Sequence, residues 1–318
     1  MNEIQQTLLG ESPLLITDWG YRQLLVAAFG HPLPAGKLNT PTVVASIFDR
    51  QTYSQQCRKA LDLLCASLPP AQESRRPSLT TDFTSVELAE CSIAYHRVFG
   101  PILSDSRWLF SSKDLEANLK AAEANPSIAA HLLHVNSPGG EAWYLDRLGQ
   151  TFDACLKPIV CIYEQACSAA YHIACHAARI YATTQFDFVG CIGTMTSFYD
   201  YEAYFAQMGL KRIDAKADQS DLKNKMFDDL RNGKPRQFVQ RVLNPMNDDF
   251  LHCVRSHRSK LASLPDDAPV LRGETYYTAE AIDVGLADGM ATFAEAVAKA
   301  DTLGRQWADS NILKALNS

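Results

Sequence analysis

The sequence predicts an α/β fold with buried parallel strands, preceded by a mainly helical N-terminal extension. Two observations carry that expectation. From Ser92 onward, short apolar runs of strand length alternate with longer segments of helical periodicity. One run, Ala129-Ala130-His131-Leu132-Leu133-His134-Val135, stops abruptly at Asn136-Ser137-Pro138-Gly139-Gly140. A second, Ile159-Val160-Cys161-Ile162-Tyr163, follows about thirty residues later, as a crossover between parallel strands allows.

Residues 1–70 read mostly as helix, with apolar periodicity over 19–29 and again over 57–65, and with Pro32, Pro34 and Gly36 ending the first helix. The polar, proline-containing stretch Pro69-Pro70-Ala71-Gln72-Glu73-Ser74-Arg75-Arg76-Pro77-Ser78 reads as a linker. The expected organisation is therefore an extension over 1–87, a main domain over 88–300 and a C-terminal tail over 301–318. Within the domain a strand at 92–99 is closed by Gly100-Pro101, and a helix over 113–122 follows. Strand 129–135, helix 141–156, strand 159–163, helix 168–178 and strand 179–183 continue the alternation. Further on, a helix over 198–209 ends at Gly209 as its C-terminal stop, a strand spans 211–215, and long helices fill 226–262. A helix over 292–300 completes the domain.

The 318 residues are 47% apolar, enough to fill a core, and the net charge of -6 leaves no basic excess. No run of Lys and Arg is long enough for a nucleic-acid or anionic-membrane surface, so nucleic acid is not an expected partner. The start, Met1-Asn2-Glu3-Ile4-Gln5-Gln6, lacks the features of a secretory signal, and no window approaches the roughly eighteen apolar residues needed for a membrane span. Nine cysteines occur without a Cys-x-x-Cys pair. Cys161, Cys167, Cys175 and Cys191 lie in apolar or small-residue segments, where free thiols pack as small hydrophobes, and a reducing cytoplasm is the expected location.

The Ser-Pro-Gly-Gly turn ends a buried strand and exposes backbone N–H groups, which is what an oxyanion hole requires. The second strand ends just before Ala166-Cys167-Ser168-Ala169-Ala170-Tyr171, placing Ser168 where a nucleophile would sit, at the start of a helix. The candidate donors are the N–H of Gly140, with Gly139, and the N–H of Ala169 next to the serine. Cys167 is a competing nucleophile, but its side chain should point away from that of Ser168, into the packed layer. Ser168 needs a base. His172 and His176 follow it on the same helix and would run down that helix rather than across the cleft, so they read as satisfied helix histidines. His252 and His257 stand alone on a later helix, and no cluster shows metal-ligand spacing. Neither a metal nor a cofactor is expected.

Three stretches together resemble a known family: Asn136-Ser137-Pro138-Gly139-Gly140, the segment around Ser168, and Gly190-Cys191-Ile192-Gly193. They are similar to the protease IV or signal peptide peptidase A family, within the Clp protease/crotonase superfamily. The closing stretch from Gly273 to Asp288, with Tyr276, Ala281, Gly285 and Leu286, fits as well. The resemblance runs from about Ile93 to Met290, some two thirds of the chain. This chain departs from the family where Ala169 and Ala170 replace two glycines after the serine, and where Cys191 replaces a serine. Strand–helix alternation alone leaves a Rossmann or flavodoxin layout open. The resemblance implies instead the Clp/crotonase-like spiral of ββα units, and no Gly-x-Gly-x-x-Gly follows the first strand.

It also implies the base. Clp proteases use a histidine about twenty-five residues past the serine, and this chain has none there; single-domain members use a lysine about fifty residues past it. Phage-encoded relatives often read Gln-Ser-x-x-Lys-Asn at that place, as Gln219-Ser220-Asp221-Leu222-Lys223-Asn224 does here. Lys223 is thus the implied general base, with Lys225 and then Lys216 as substitutes. A lysine accepts a proton only when neutral, which takes enough desolvation to bring its pKa down from about 10.4. The implied function is a Ser-Lys endopeptidase acting on polypeptides, of the kind that processes scaffold and capsid precursors in phage or prophage heads, and working as a homo-oligomeric ring. The competing readings are a housekeeping peptidase that clears membrane-derived peptides, a crotonase-like acyl-CoA enzyme, and a non-catalytic shell component that keeps the fold.

Overall fold

Strands buried on both faces need near-continuous apolar sequence, and the three central runs supply it: Ile93, Val98, Leu132, Leu133, Val135, Val160 and Ile162 are all fully buried. The computed structural model describes residues 14–16, 52–68, 77–197, 202–211 and 213–316. The helix expected over 19–29 and most of the linker over 69–78 lie outside the described residues. The main elements, in chain order, are β1 (Leu14–Ile16), α1 (Tyr53–Ser67), β2 (Leu79–Thr80), β3 (Ser92–Phe99), α2 (Ser112–Ala124), β4 (Ile128–Ser137) and β5 (Gly139–Glu141). Then come α3 (Leu145–Asp153), β6 (Ile159–Cys167), α4 (Ala169–Ala174), β7 (Arg179–Ala182), β8 (Phe188–Gly190), α5 (Glu202–Gln207) and α6 (Lys225–Arg231). The described chain closes with α7 (Asn244–His257), β9 (Thr275–Tyr277), α8 (Thr278–Val284), β10 (Gly289–Met290) and α9 (Phe293–Leu316).

The main sheet runs in the order β10-β7-β6-β4-β3-β2, with every neighbouring pair parallel. Strand β6 changes partner along its length. Its residues 160–163 pair with β7 and its residues 165–167 with β8, which turns back antiparallel onto β9. Between β4 and β6 the register slips after Val135, so that Asn136 faces Gln165 and Glu164 is left over as a bulge. This α/β fold with a parallel sheet is the class the sequence predicts, and the bulge falls where both strands approach the glycine turn and Ser168.

The N-terminal and C-terminal segments pack more closely than their sequences suggest. Helix α1 begins with a Thr52–Gln55 capping box. The Tyr53 hydroxyl donates to the Arg97 carbonyl at 2.8 Å and accepts from the Phe99 N–H at 3.0 Å, tying α1 to β3. Leu79 and Thr80, ahead of the boundary expected near residue 88, pair with Ile93 and Ala94. The helix expected over 292–300 continues through the stretch read as a tail as far as the last described residue, Leu316. Its first half keeps a face of small residues, Ala296, Val297 and Ala300, against Ile93, Tyr95, Ala130 and Leu132. At Gly304 a Cβ would come within 3.1 Å of the Ala129 carbonyl oxygen, so a glycine lets the helix lie directly on β4.

Three elements differ from expectation. No strand forms over the described residues of 211–215, which are exposed and have no neighbouring strand to pair with. The helix after Ser168 stops at Ala174 rather than 178, because the chain must turn at Cys175 to enter β7. The long helical stretch over 226–262 is broken at Gly233, which has φ of +71°, and again at Arg258, whose extended backbone ends α7. Arg258 is 8% exposed, and its guanidinium grips Asp288 at 2.9 and 3.3 Å while also donating to the Gly285 carbonyl. Asp288 in turn accepts the Ile180 N–H at 2.7 Å. That network explains the closing Gly-Leu-x-Asp stretch physically: its aspartate joins β7 to the end of α7. Removing it leaves a mostly buried guanidinium uncompensated. Asp288→Ala is expected to cost about 2 kcal/mol or more and to lower Tm by roughly 5 °C or more in a thermal melt.

Candidate active site

Ser168 stands on a sharp strand-to-helix turn. It leaves β6 with φ of 57° and ψ of -122°, a region that non-glycine residues enter at a cost of order 1–3 kcal/mol. The strain is held from both sides. Its N–H donates to the Gly190 carbonyl at 2.8 Å, and its own carbonyl accepts from Tyr171 and His172 at 2.8 and 3.0 Å. The small residues around it serve the packing: Ala166, Ala169 and Ala170 are fully buried, and the Tyr171 hydroxyl reaches across to the Leu286 carbonyl at 3.1 Å. Ala169 and Ala170, in place of the family's glycines, lie in α4. As the first helical residue, Ala169 has an N–H with no acceptor inside the helix.

The glycine turn lies beside this elbow. Ser137 pairs with Ala166, so two further steps of that parallel register bring residue 139 level with residue 168 at the carboxyl ends of adjacent strands. Gly139 has φ of +103° and its N–H donates to the Ser137 hydroxyl at 3.2 Å. The Gly139 carbonyl accepts from Ile102 and the Glu141 N–H donates to Ile102, both at 2.9 Å. Because strand groups alternate in direction, the N–H of Gly140 points to the opposite edge of β5. Gly140 itself is required by space, since a Cβ there would lie 2.0 Å from the Ile102 carbonyl oxygen. Along the free edge of β5 runs a piece of this same chain: β1 pairs antiparallel with it, Leu15 opposite Gly140 and Ile16 opposite Gly139. Beyond β5 a cleft opens between Ala142, Trp143, Tyr144, His172, Pro245 and Met246.

The lysines expected to serve as base are not assembled with Ser168. Lys223 is exposed, in the turn between a 3-10 segment (Asp218–Ser220) and α6, and among the described residues no hydrogen bond or ion pair joins it to the serine. Lys225 is bound to Asp229 at 2.8 Å, which raises its pKa, and Lys216 lies 3.4 Å from Asp228. In the stretch of chain that leads to Lys223, Met208, Leu210, Ile213 and Leu222 are between 52% and 84% exposed. Cys167 is fully buried; burial pushes its thiol pKa up, and its sulfur faces the Phe188 carbonyl. Cys191, at the position of the family's serine, has φ of 54° and donates its N–H to the Glu274 carbonyl.

The histidines depart from the sequence reading. His176 is satisfied, its Nδ1 lying 2.9 Å from Asp153. His172 is not: its buried Nε2 has no hydrogen-bond partner and sits 3.6 Å from Asp249. His257 does not stand alone either. Together with Cys175, His176 and Cys253 it forms a group whose ligand atoms all lie within 4.8 Å of one another. The sequence held one local sign of this, Cys253 and His257 one helical turn apart; their partners Cys175 and His176 come from the turn that follows α4.

Comparison with known proteins agrees with the family resemblance. Residues 152–306 match the family described as Peptidase family S49, a segment that holds Ser168 and Lys223 and begins after the glycine turn. The chain is 28% identical over 184 residues to a candidate protease of Methanocaldococcus jannaschii, covering 57% of this chain and 58% of the relative. It is 29% identical over 199 residues to Protease 4 of Haemophilus influenzae, covering 61% of this chain and 31% of the relative. It therefore spans little more than half of the first relative and under a third of the second. Among solved structures, an enoyl-CoA hydratase/isomerase family member covers 74% of this chain and 76% of its own at 14% identity, with a TM-score of 0.36. ThnE from S. clavuligerus covers 68% and 81% at 14% identity, with a TM-score of 0.33. No helix among the described residues is long and apolar enough to cross a membrane. The sequence match thus makes residues 152–306, just under half of the chain, similar to peptidase family S49.

Proposed function

We propose that the protein is a serine endopeptidase with Ser168 as nucleophile and Lys223 as general base. The observation that carries the reading is the backbone of Ser168. A serine held at positive φ between a buried strand and a helix, level with a glycine turn, is costly to maintain and presents its hydroxyl at the carboxyl end of the sheet. Ser168 Oγ attacks the scissile carbonyl while Lys223 Nζ takes its proton. The oxyanion is met by the Gly140 and Ala169 N–H groups, with Gly139 shaping the turn. Lys223 then returns the proton to the leaving amine, and a water hydrolyses the ester formed on Ser168.

A peptide substrate would take the place along β5 that β1 holds, running antiparallel to Gly139–Glu141. Its side chains would extend toward the cleft beside Trp143 and Met246. The exposed position of Lys223 calls for closure of its segment, and the exposed apolar side chains Met208, Leu210, Ile213 and Leu222 in the chain before it suit packing against a second copy in a closed ring. The Gln219 to Asn224 stretch supports the narrower assignment, processing of scaffold and capsid precursors in a phage or prophage head. The direct test is a serine-directed phosphonate probe on the full-length protein. The expected result is stoichiometric labelling mapped to Ser168 by peptide mass spectrometry; labelling elsewhere, or none at all under conditions where a peptide is cleaved, overturns the assignment.

A further inference from the structure

Behind the candidate nucleophile, on the far end of the helix it starts, two cysteines and two histidines converge from separate elements. Cys175 and His176 follow α4 directly, and Cys253 and His257 lie one turn apart on α7. Cys175 Sγ is 3.4 Å from Cys253 Sγ, Cys253 Sγ is 3.2 Å from His176 Nε2 and 4.0 Å from His257 Nδ1. A tetrahedral zinc with bonds of about 2.3 Å to sulfur and 2.0–2.1 Å to nitrogen spaces its ligands about 3.3–3.8 Å apart. The four atoms are therefore already near the corners such an ion needs. The outer nitrogens are also arranged. Asp153, at the end of α3, lies 2.9 Å from His176 Nδ1 and 2.9 Å from His257 Nε2, leaving in each ring the other nitrogen facing the sulfurs. One carboxylate orienting two imidazoles is the outer-shell device that fixes histidine ligands on a metal.

We infer that Cys175, His176, Cys253 and His257 form a closed, tetrahedral site for a zinc-class divalent cation that fastens α4 to α7. Two sulfurs and two imidazoles with no water position make it a structural rather than a catalytic centre. Binding replaces the thiol protons by metal–sulfur bonds and releases those protons to solvent, with no change of oxidation state. His257 Nδ1 also gives up its 2.8 Å contact with the Cys253 carbonyl. Access runs past His257 and the half-exposed Asp153.

The site lies at the opposite end of α4 from Ser168, so its role is positioning. The test does not use peptidase activity and stands whether or not Ser168 is the nucleophile. Full-length protein, purified with reductant and stripped with a chelator, is titrated with Co²⁺ and with Zn²⁺. The expected result is about one equivalent of metal per chain, tetrahedral Co²⁺ bands with thiolate charge transfer, and a Tm that falls by about 5 °C or more on chelation and recovers with Zn²⁺. His257→Gln, a change at the partly exposed rim, should weaken Co²⁺ binding by about tenfold or more, and Asp153→Asn by about tenfold. Cys175→Ser and Cys253→Ser should each lower the charge-transfer intensity, since each removes one of two sulfurs. Reduced protein that binds no stoichiometric Co²⁺ overturns the inference, as do thiolate bands that keep their full intensity in both Cys175→Ser and Cys253→Ser. Isolation of the native protein with a Cys175–Cys253 disulfide would overturn it too, assigning the pair to redox chemistry.

Discussion

Ser168→Ala is expected to abolish peptide cleavage and phosphonate labelling, a loss of roughly 10⁴-fold or more, while the protein stays folded. The substitution removes one oxygen from a residue whose backbone, not its side chain, makes the local hydrogen bonds, to Gly190, Tyr171 and His172. Strain at the elbow adds a second, less obvious expectation. Alanine keeps the Cβ and with it the cost of a φ of 57°, whereas glycine occupies that region freely. Ser168→Gly should therefore melt no lower than Ser168→Ala, despite the roughly 0.5–1 kcal/mol that glycine normally forfeits in unfolded-state entropy. Both variants should be inactive. Paired thermal melts and cleavage assays decide it: a Ser168→Ala protein that still turns over peptide removes Ser168 from the chemistry, and a Ser168→Gly protein that is clearly the less stable of the two removes strain from the account of the elbow.

Such strain is invisible in sequence, and it marks the limit of what could be read there. The apolar runs of β3, β4 and β6 declare themselves because strands buried on both faces tolerate little polar residue, and Gly209 ends α5 where a glycine stop was expected. The places of the glycine turn and of Ser168, at the ends of β4 and β6, were legible because each follows such a run. Other features depend on partners distant in the chain. Helix α9 runs past 300 because Gly304 lets it lie on Ala129, and no local pattern reports that contact. Strand β6 divides between β7 and β8, a choice set by the whole sheet. The Cys175, His176, Cys253 and His257 group escaped for the same reason: each half carries two donors, too few for a metal motif, and only the packing of α4 against α7 joins them. Segment 211–215, expected as a strand, went the other way: its described residues are exposed and pair with no strand.

The largest remaining effect concerns Lys223. If it is the base for Ser168, Lys223→Met and Lys223→Arg should both lose cleavage by roughly 10³-fold or more, because a guanidinium does not deprotonate near neutral pH and cannot accept the serine proton. A lysine acting only through its charge would tolerate arginine. Lys225→Met and Lys216→Met are the controls, since both side chains are engaged by Asp229 and Asp228 and their loss should leave turnover near normal. Ser168→Ala combined with Lys223→Met should be no worse than either alone, as members of one proton-transfer unit behave. The exposed position of Lys223 makes one further experiment informative. Mixing inactive Ser168→Ala protein with inactive Lys223→Met protein should restore partial activity if a neighbouring copy supplies the lysine, because some sites then combine an intact Ser168 with an intact Lys223. No recovery, with both single variants dead, places the two residues in one chain and requires the 218–224 segment to fold onto its own serine. Near-normal turnover in both Lys223 variants would eliminate Lys223 and transfer the role to whichever control lost activity.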